Sequence, residues 1–244
     1  TPLPTTSTNT ATSPTDNDPK GTRFFDVDGD RRIDILRTDA TDSTVVRRNT
    51  AAGFQSMTVE PIGMVFDGDR LFLADVNGDN LLDPVYVGNS GAVSRRLNLG
   101  HGRWSDWKAI PGPTLSLDEA NAAQLEDLDG DGLDDLVIVL FDRVRYALNR
   151  YGERFDPLVT IEAAGVDGGV PARSATTTVL FADMNATGSV DVVWVQSSGE
   201  VLYLELFPAP PNLLSRIDNG LGAVQEITYG TAVAARAGDS TPWS

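Results

Sequence analysis

Four acidic segments recur along the chain, each placing oxygen-bearing side chains at positions 1, 3, 5 and 9 of a nine-residue loop. They are Asp26, Asp28, Asp30 and Asp34; Asp75, Asn77, Asp79 and Asp83; Asp127, Asp129, Asp131 and Asp135; and Asp183, Asn185, Thr187 and Asp191. Oxygens on alternate residues of a wrapping backbone converge on one point, and calcium takes about six to eight oxygens at roughly 2.3–2.6 Å. A loop of this kind also offers its main-chain carbonyl at position 7, which here nominates Arg32, Leu81, Leu133 and Ser189. The expected cofactor is structural calcium, three to four ions. The four side-chain sets carry formal charges of −4, −3, −4 and −2, which ranks the fourth loop weakest. Position 6 calls for a positive φ, which suits Asn80, Gly132 and Gly188. Arg31 does not suit it, so the first loop is expected to bend differently or to bind more weakly.

Composition agrees with a hard-cation reading. The 244 residues hold 27 aspartates against 8 glutamates, and 13 of the aspartates lie in the four ligand sets. Like charges crowded at that density raise one another's pKa and oppose folding unless a cation intervenes. A net charge of −16 argues against nucleic acid and anionic lipid as partners. With no cysteine and one histidine, thiolate catalysis, Cys-type zinc sites, His-cluster metal sites and a His-dependent triad are excluded or improbable on composition. The longest apolar runs, such as Leu136 to Phe141, fall far short of the roughly 20 residues of a membrane span.

The elements that must hold these loops repeat with them. The first loop positions lie 49, 52 and 56 residues apart. Each loop follows a short apolar or mixed stretch (Arg23 to Phe25, Leu71 to Leu73, Ala123 to Leu125, Val179 to Phe181). Each precedes a strand rich in β-branched or apolar residues (Ile33 to Leu36, Val85 to Val87, Leu136 to Leu140, Val192 to Val195). A second strand follows, and three copies then show an asparagine, a glycine turn and an aromatic: Asn49/Gly53/Phe54, Asn98/Gly102/Trp104 and Asn149/Gly152/Phe155. About four short strands in roughly 50 residues is the size of a β-propeller blade. The fold expected is therefore all-β, with four propeller-type blades over residues 21–212. Leu117 to Leu125 is the only stretch that reads as a short helical turn. Residues 1–20, with seven Thr, four Pro and two Ser, read as a linker, and 231–244 as a flexible end.

The loops with their flanking strands resemble FG-GAP/VCBS repeats, the calcium-loop blades of integrin-α-type propellers and of many bacterial surface proteins. The segment Leu213-Leu214-Ser215-Arg216-Ile217-Asp218-Asn219-Gly220-Leu221-Gly222-Ala223, continuing to Ile227-Thr228-Tyr229-Gly230, resembles the region following the propeller repeats in Tc insecticidal toxin B components and SpvB-like virulence proteins. Physically it reads as a hairpin turned at Asn-Gly. The resemblance implies a secreted or cell-surface bacterial protein that is not an enzyme, whose propeller docks a protein partner: a toxin-complex subunit or a host surface receptor. Four blades are fewer than most propellers carry, so further blades are expected elsewhere in a parent chain. The alternative is an adhesion or lectin-like propeller that binds a glycan.

Other residues carry weaker signals. No pair of carboxylates stands apart from the loops as a glycosidase couple. His101, in Gly100-His101-Gly102, reads as a surface turn. Trp104 and Trp107 fit an aromatic plug between blades, with a sugar-stacking shelf as the other reading. The pairs Arg31/Arg32, Arg47/Arg48 and Arg95/Arg96 read as salt-bridging surface, because strand neighbours face opposite sides. Val166-Asp167-Gly168-Gly169-Val170 lacks the lysine of a phosphate loop.

Overall fold

The computed structural model describes residues 22–38, 44–64, 70–162, 170–171, 176–208 and 213–230. The expected linker 1–20, the end segment 231–244 and most of the glycine-rich stretch 166–170 lie outside the described residues. The chain forms two compact units. One comprises Thr1–Asp75, Asp79–Gly88 and Val93–Ala109, and the other Val76–Gly78, Asn89–Ala92 and Ile110–Ser244, as far as these are described.

The first unit carries two blades, each an antiparallel sheet with strands in sequence order. Strands β1 (Thr22–Phe25), β2 (Asp34–Thr38), β3 (Thr44–Thr50) and β4 (Gly53–Met57) make the first blade. The second consists of β5 (Leu71–Ala74), β6 (Asp83–Val87), β7 (Val93–Arg95) and β8 (Lys108–Ile110). Strand β2 alternates buried and half-buried residues along its length, the period-2 pattern of a strand with one face on the core. Phe25, Val27, Leu36 and Val46 of the first blade pack with Leu71 and Trp104 of the second. Neither sheet covers its apolar face alone, so the pair closes one core.

In the second unit a short helix α1 (Leu117–Ala122) leads into the third blade. Ser116 and Glu119 cap it reciprocally, side chain to backbone at both ends of the pair. The third sheet contains β9 (Ala123–Glu126), β10 (Asp135–Val139) and β11 (Arg143–Ala147), with a two-stranded ribbon of β12 (Asn149–Arg150) and β13 (Arg154–Phe155) inserted before its outer strand β14 (Val159–Glu162). The fourth blade has three strands, β15 (Thr178–Ala182), β16 (Asp191–Val195) and β17 (Val201–Leu204). Strands β10 and β16 are buried nearly throughout, as their continuous apolar sequences require. Val137, Val139 and Val144 meet Val192 and Trp194 in the second core. Strands β18 (Arg216–Asp218) and β19 (Val224–Glu226) form the expected hairpin as a separate two-stranded sheet. Its turn is longer than the two-residue kind: the Asn219 side chain accepts the N–H groups of Leu221 and Ala223.

The all-β, four-blade reading of the sequence is what the structure shows, and the short helix falls where the residues placed it. The repeated asparagine explains how successive blades hold together. In blade three, Asn149 is fully buried. Its amide nitrogen donates to the Val76 carbonyl at 2.9 Å and to the Asp134 carbonyl at 3.0 Å, and its Oδ1 accepts from Gly152 N at 2.8 Å. Asn98 repeats the pattern toward Val27, Leu82 and Gly100. The acceptor is each time position 2 of the preceding acidic loop. The partner aromatics stand opposite across the turn, with Asn49 paired to Phe54 and Asn149 to Phe155 in the strand register, and Asn98 bridged to Trp104.

The loops also stack. A β-carbon on Gly29 would lie 3.4 Å from Leu81, one on Gly78 3.1 Å from Leu133, and one on Gly130 2.6 Å from the Gly188 carbonyl. Position 4 of one loop thus abuts the next loop at or beside its position 7. Asn149→Ala removes three hydrogen bonds, two of them buried, and is expected to cost about 2–4 kcal/mol in urea denaturation. Asn49→Ala, whose backbone N–H alone engages its loop, is expected to cost under about 1 kcal/mol. Gly132→Ala should carry only the left-handed backbone penalty of about 1–2 kcal/mol. Gly130→Ala adds a backbone clash and should be clearly worse; equal midpoints for the two alanine variants would show that the stacking is slack.

Candidate metal centres

In each loop the backbone wraps around its own carboxylates. The third loop shows the pattern most fully. Asp127 Oδ1 accepts from Gly130 N and Asp131 N, and its Oδ2 accepts from Gly132 N. Asp129 Oδ1 accepts from Asp131 N, and Asp131 Oδ1 from Leu133 N. Asp135 Oδ2 accepts from Leu128 N at 3.2 Å and Oδ1 from Asn149 N at 2.7 Å. Position 9 therefore has two roles, fastening the start of its own loop and the strand that carries the asparagine. The first loop repeats these bonds, with Asp34 accepting from Val27 N and Asn49 N.

Among the described residues, two groups of carboxylates converge. Asp26, Asp28 and Asp34 each offer an oxygen within 4.8 Å of the others, as do Asp127, Asp129 and Asp135. The position-5 residues Asp30 and Asp131 stand outside these groups, held by the N–H groups of Arg32 and Leu133. Of the second loop, Asp75, Asp79 and Asp83 belong to the first unit and Asn77 to the second. Asp75 accepts from Asn80 N, Asp79 from Leu81 N and Asp83 from Asn98 N. In the fourth loop Asp183 accepts from Thr187 N and Gly188 N, and Asp191 Oδ2 from Met184 N. Thr187 Oγ1 and Ser189 Oγ lie 3.1 Å apart, and the Ser189 hydroxyl donates to the Phe207 carbonyl. The Leu81 and Leu133 side chains pack on the glycines of the preceding loops, and their N–H groups donate to Asp79 and Asp131. A three-carboxylate, all-oxygen donor group fits a hard cation.

The first loop does not bend differently. Arg31 adopts φ of 66°, beside 64° for Asn80, 86° for Gly132 and 92° for Gly188. The Arg31 N–H donates to Asp26 Oδ2 as Gly132 N does to Asp127, and that bond fixes the left-handed turn in a residue that disfavours it. Position 4 shares the requirement: Gly29, Gly78, Gly130 and Ala186 all have positive φ.

Two charged side chains that loop spacing could not reveal stand at these sites. The Arg48 guanidinium pairs through Nε with Asp28 and through Nη2 with Asp30 at 3.1 Å. In the fourth blade Asn185 Nδ2 donates to Glu205 Oε1 at 2.6 Å, bringing a further carboxylate to the loop with the fewest. Asp191 Oδ1 is buried without a hydrogen-bond partner among the described residues. The strand register puts Leu206 where the other blades have asparagine.

Burial is the main electrostatic strain. It raises the carboxyls of Asp34, Asp127, Asp129 and Asp191, and neighbouring carboxylates add to the rise in each. Asp135 is pushed up to about 8, burial first, with Asp129 and Asp131 contributing. Burial and the charge of Asp134 push Glu126 up to about 7.

The remaining candidates resolve simply. Trp104 is only 4% exposed, and its Nε1 donates to the Glu60 carbonyl, while Trp107 Nε1 donates to that of Ile62. Both join the core between the first two blades as a plug. His101 is an exposed turn residue with φ of 54°. The arginine pairs are not plain salt-bridging surface. Arg95 is buried, and Arg96 donates to the carbonyls of Pro61 and Ile62. An open cleft of about 540 Å³ beside Pro111, Arg145 and Phe155 has its charges internally matched, Arg145 to Glu119 and Arg150 to Asp156.

Residues 149–242 match the family described as the insecticide toxin TcdB middle/N-terminal region, and residues 75–138 match the FG-GAP-like repeat. Among solved structures, a Tc holotoxin pore from Photorhabdus luminescens carrying a TccC3 mutation aligns at 25% identity and TM-score 0.68, over 84% of this chain and 10% of that one. TcdB2-TccC3 without its hypervariable C-terminal region aligns at 24% identity and TM-score 0.61, over 90% and 10%. An Agrocybe aegerita lectin that recognises non-reducing terminal N-acetylglucosamine aligns at 22% identity and TM-score 0.59, over 84% and 51%; at that identity it shares the fold. No curated protein sequence matches the chain. The chain spans about a tenth of the Tc chains it matches. It carries FG-GAP-type propeller repeats and resembles the propeller region of Tc toxins.

An unfolded aspartate titrates near about 3.9, whereas folded Asp135 does so at about 8. The folded, cation-free chain thus holds a proton that the unfolded chain releases between those values. Stability from this group is present below about pH 4 and is lost as pH rises toward about 8. In chelator the melting temperature is expected to be several degrees lower at pH 8 than at pH 5. Added calcium is expected to remove that loss, because a divalent cation competes with the proton for ionised carboxylates. A flat profile in chelator would show that the loop charges do not strain the fold.

Proposed function

We propose that this chain is a non-catalytic, calcium-stabilised propeller scaffold of a secreted toxin-complex-type protein, and that it docks a partner subunit. The observation that carries the reading is the similarity of its blades to the Tc structures, two of them described as TcdB2-TccC3 and as a holotoxin pore. Calcium enters through the converging carboxylates: Asp127, Asp129 and Asp135, with Asp131 beside them, would hold one ion in the third loop, and the other loops would follow the same plan. A bound cation supplies the positive charge that buried like charges lack, and it stabilises the folded state by mass action. Nearly every candidate acid is already committed to backbone N–H groups, an arrangement that fixes a ligand set rather than shuttling protons. The toxin-complex partner that the resemblance favours is the pore-forming component. A glycan-binding reading has less support, because Trp104 is buried in the core and Trp107 is tied to the Ile62 carbonyl.

Calorimetric titration of the chelator-treated chain should show three to four ions. One loop held at 100 times its Kd contributes about 2.7 kcal/mol, or roughly 5–10 °C of melting temperature at this size. The parent protein should co-elute with a pore-forming toxin component in calcium and lose that association in chelator. Association that survives chelation with an unchanged melt would reject the calcium role, and absence of association in calcium would reject the docking role.

A further inference from the structure

We propose that Arg48 is the resident cation of the first loop, taking the place that calcium takes in its sister loops. The inference rests on the calcium reading of those loops and departs from it at this one. The strand that follows each loop's blade centre returns past the loop mouth, and the residue one step before the asparagine position faces the carboxylates. In blade one that residue is Arg48, directly before Asn49, whose N–H is bonded to Asp34. In blade three it is Leu148, directly before Asn149, whose N–H is bonded to Asp135. The fourth blade has Glu205 there by register.

The consequence is visible on the position-3 carboxylates, which accept the same loop N–H group. Asp28 Oδ1 accepts from Asp30 N and Asp129 Oδ1 from Asp131 N. Arg48 Nε lies against Asp28 Oδ2 as an ion pair without hydrogen-bond geometry, and the Asp28 side chain is only 2% exposed. Asp129 is buried too. Among the described residues no hydrogen bond or ion pair meets its Oδ2, and the Arg150 charge acts on it without a direct bond. The Arg48 fork also reaches Asp30, so one guanidinium spans positions 3 and 5. The guanidinium hydrogen-bonds Asp30 Oδ2 and sets its charge against Asp28 Oδ2, so a delocalised, permanently charged group neutralises part of the set. A divalent ion would have to displace a charge-assisted pair in order to enter. Loop one therefore keeps its shape in the absence of divalent cations, and the sequence position before the asparagine sets which cation each loop takes.

The test uses calcium as the probe on the full chain, counted by calorimetry and followed by thermal melts. Wild type should bind one ion fewer than Arg48→Gln, and the variant should melt several degrees lower than wild type in chelator and recover in calcium. In the wild-type background, Asp28→Asn should leave the ion count unchanged and Asp129→Asn should lower it by one. The proposal is overturned if Arg48→Gln binds no additional ion, or if Asp28→Asn removes an ion from wild type. The second result stays readable even where the arginine variant fails to fold. A wild-type chain that binds calcium, with Arg48→Gln binding the same number, rejects the Arg48 assignment alone. Absence of calcium binding in both rejects the calcium reading as well.

Discussion

A buried carboxylate that demands N–H partners governs this fold. The ninth residue of each loop, Asp34, Asp83, Asp135 or Asp191, sits at the start of a central strand with almost no exposure. Burying an ionised carboxylate without partners is prohibitive, so its surroundings must deliver N–H groups. In the first and third loops they come from two directions, the second residue of the same loop and a backbone amide about fifteen residues later. Asp191 receives the first, and its Oδ1 has no hydrogen-bond partner among the described residues. The first bond closes the acidic loop, and the second sets the register of the neighbouring strand. Strand pairing, loop shape and the position of the asparagine follow from satisfying one side chain.

The carboxylate group is also where the molecule carries its greatest strain. Asp127, Asp129 and Asp135 come close enough to share one ion, and both burial and mutual repulsion raise their proton affinity. Backbone N–H groups compensate only partly, because they are dipoles facing full charges. The loops meet the remaining demand differently. The first has a guanidinium drawn from its own blade, the third relies on carboxylates and N–H groups, and the fourth trades carboxylates for neutral oxygens and gains Glu205.

Much of this could be read from the residues. Alternate aspartates, their recurrence, the β-branched runs behind them and the asparagine, glycine and aromatic triplet specify loop, strand and turn through local chemistry. What escaped reading depends on register across strands. Arg48 lies eighteen residues from Asp30, and Glu205 twenty from Asn185, so neither pairing follows from loop spacing. Arg31 misled for the opposite reason: its residue type opposes a left-handed turn, but Asp26 supplies the bond that holds it there. The arginine pairs misled because the carbonyls of Pro61 and Ile62, which Arg96 meets, are exposed by a connection between blades.

The asparagine that bonds backward to the preceding loop gives the array a direction. Blades two and three each arrive with a donor for the one before, Asn98 for Val27 and Asn149 for Val76, whereas the fourth has Leu206 at that position. A duplicated blade therefore brings its own matching pair and can be spliced between neighbours without orphaning a group. Copy number can drift by whole units over evolution, while a gain or loss of a fraction of a blade breaks the chain of donors. Length can still vary within a unit after the asparagine, where the distance to the next loop grows from 26 to 29 to 34 residues, because that stretch carries neither the donor nor its acceptor.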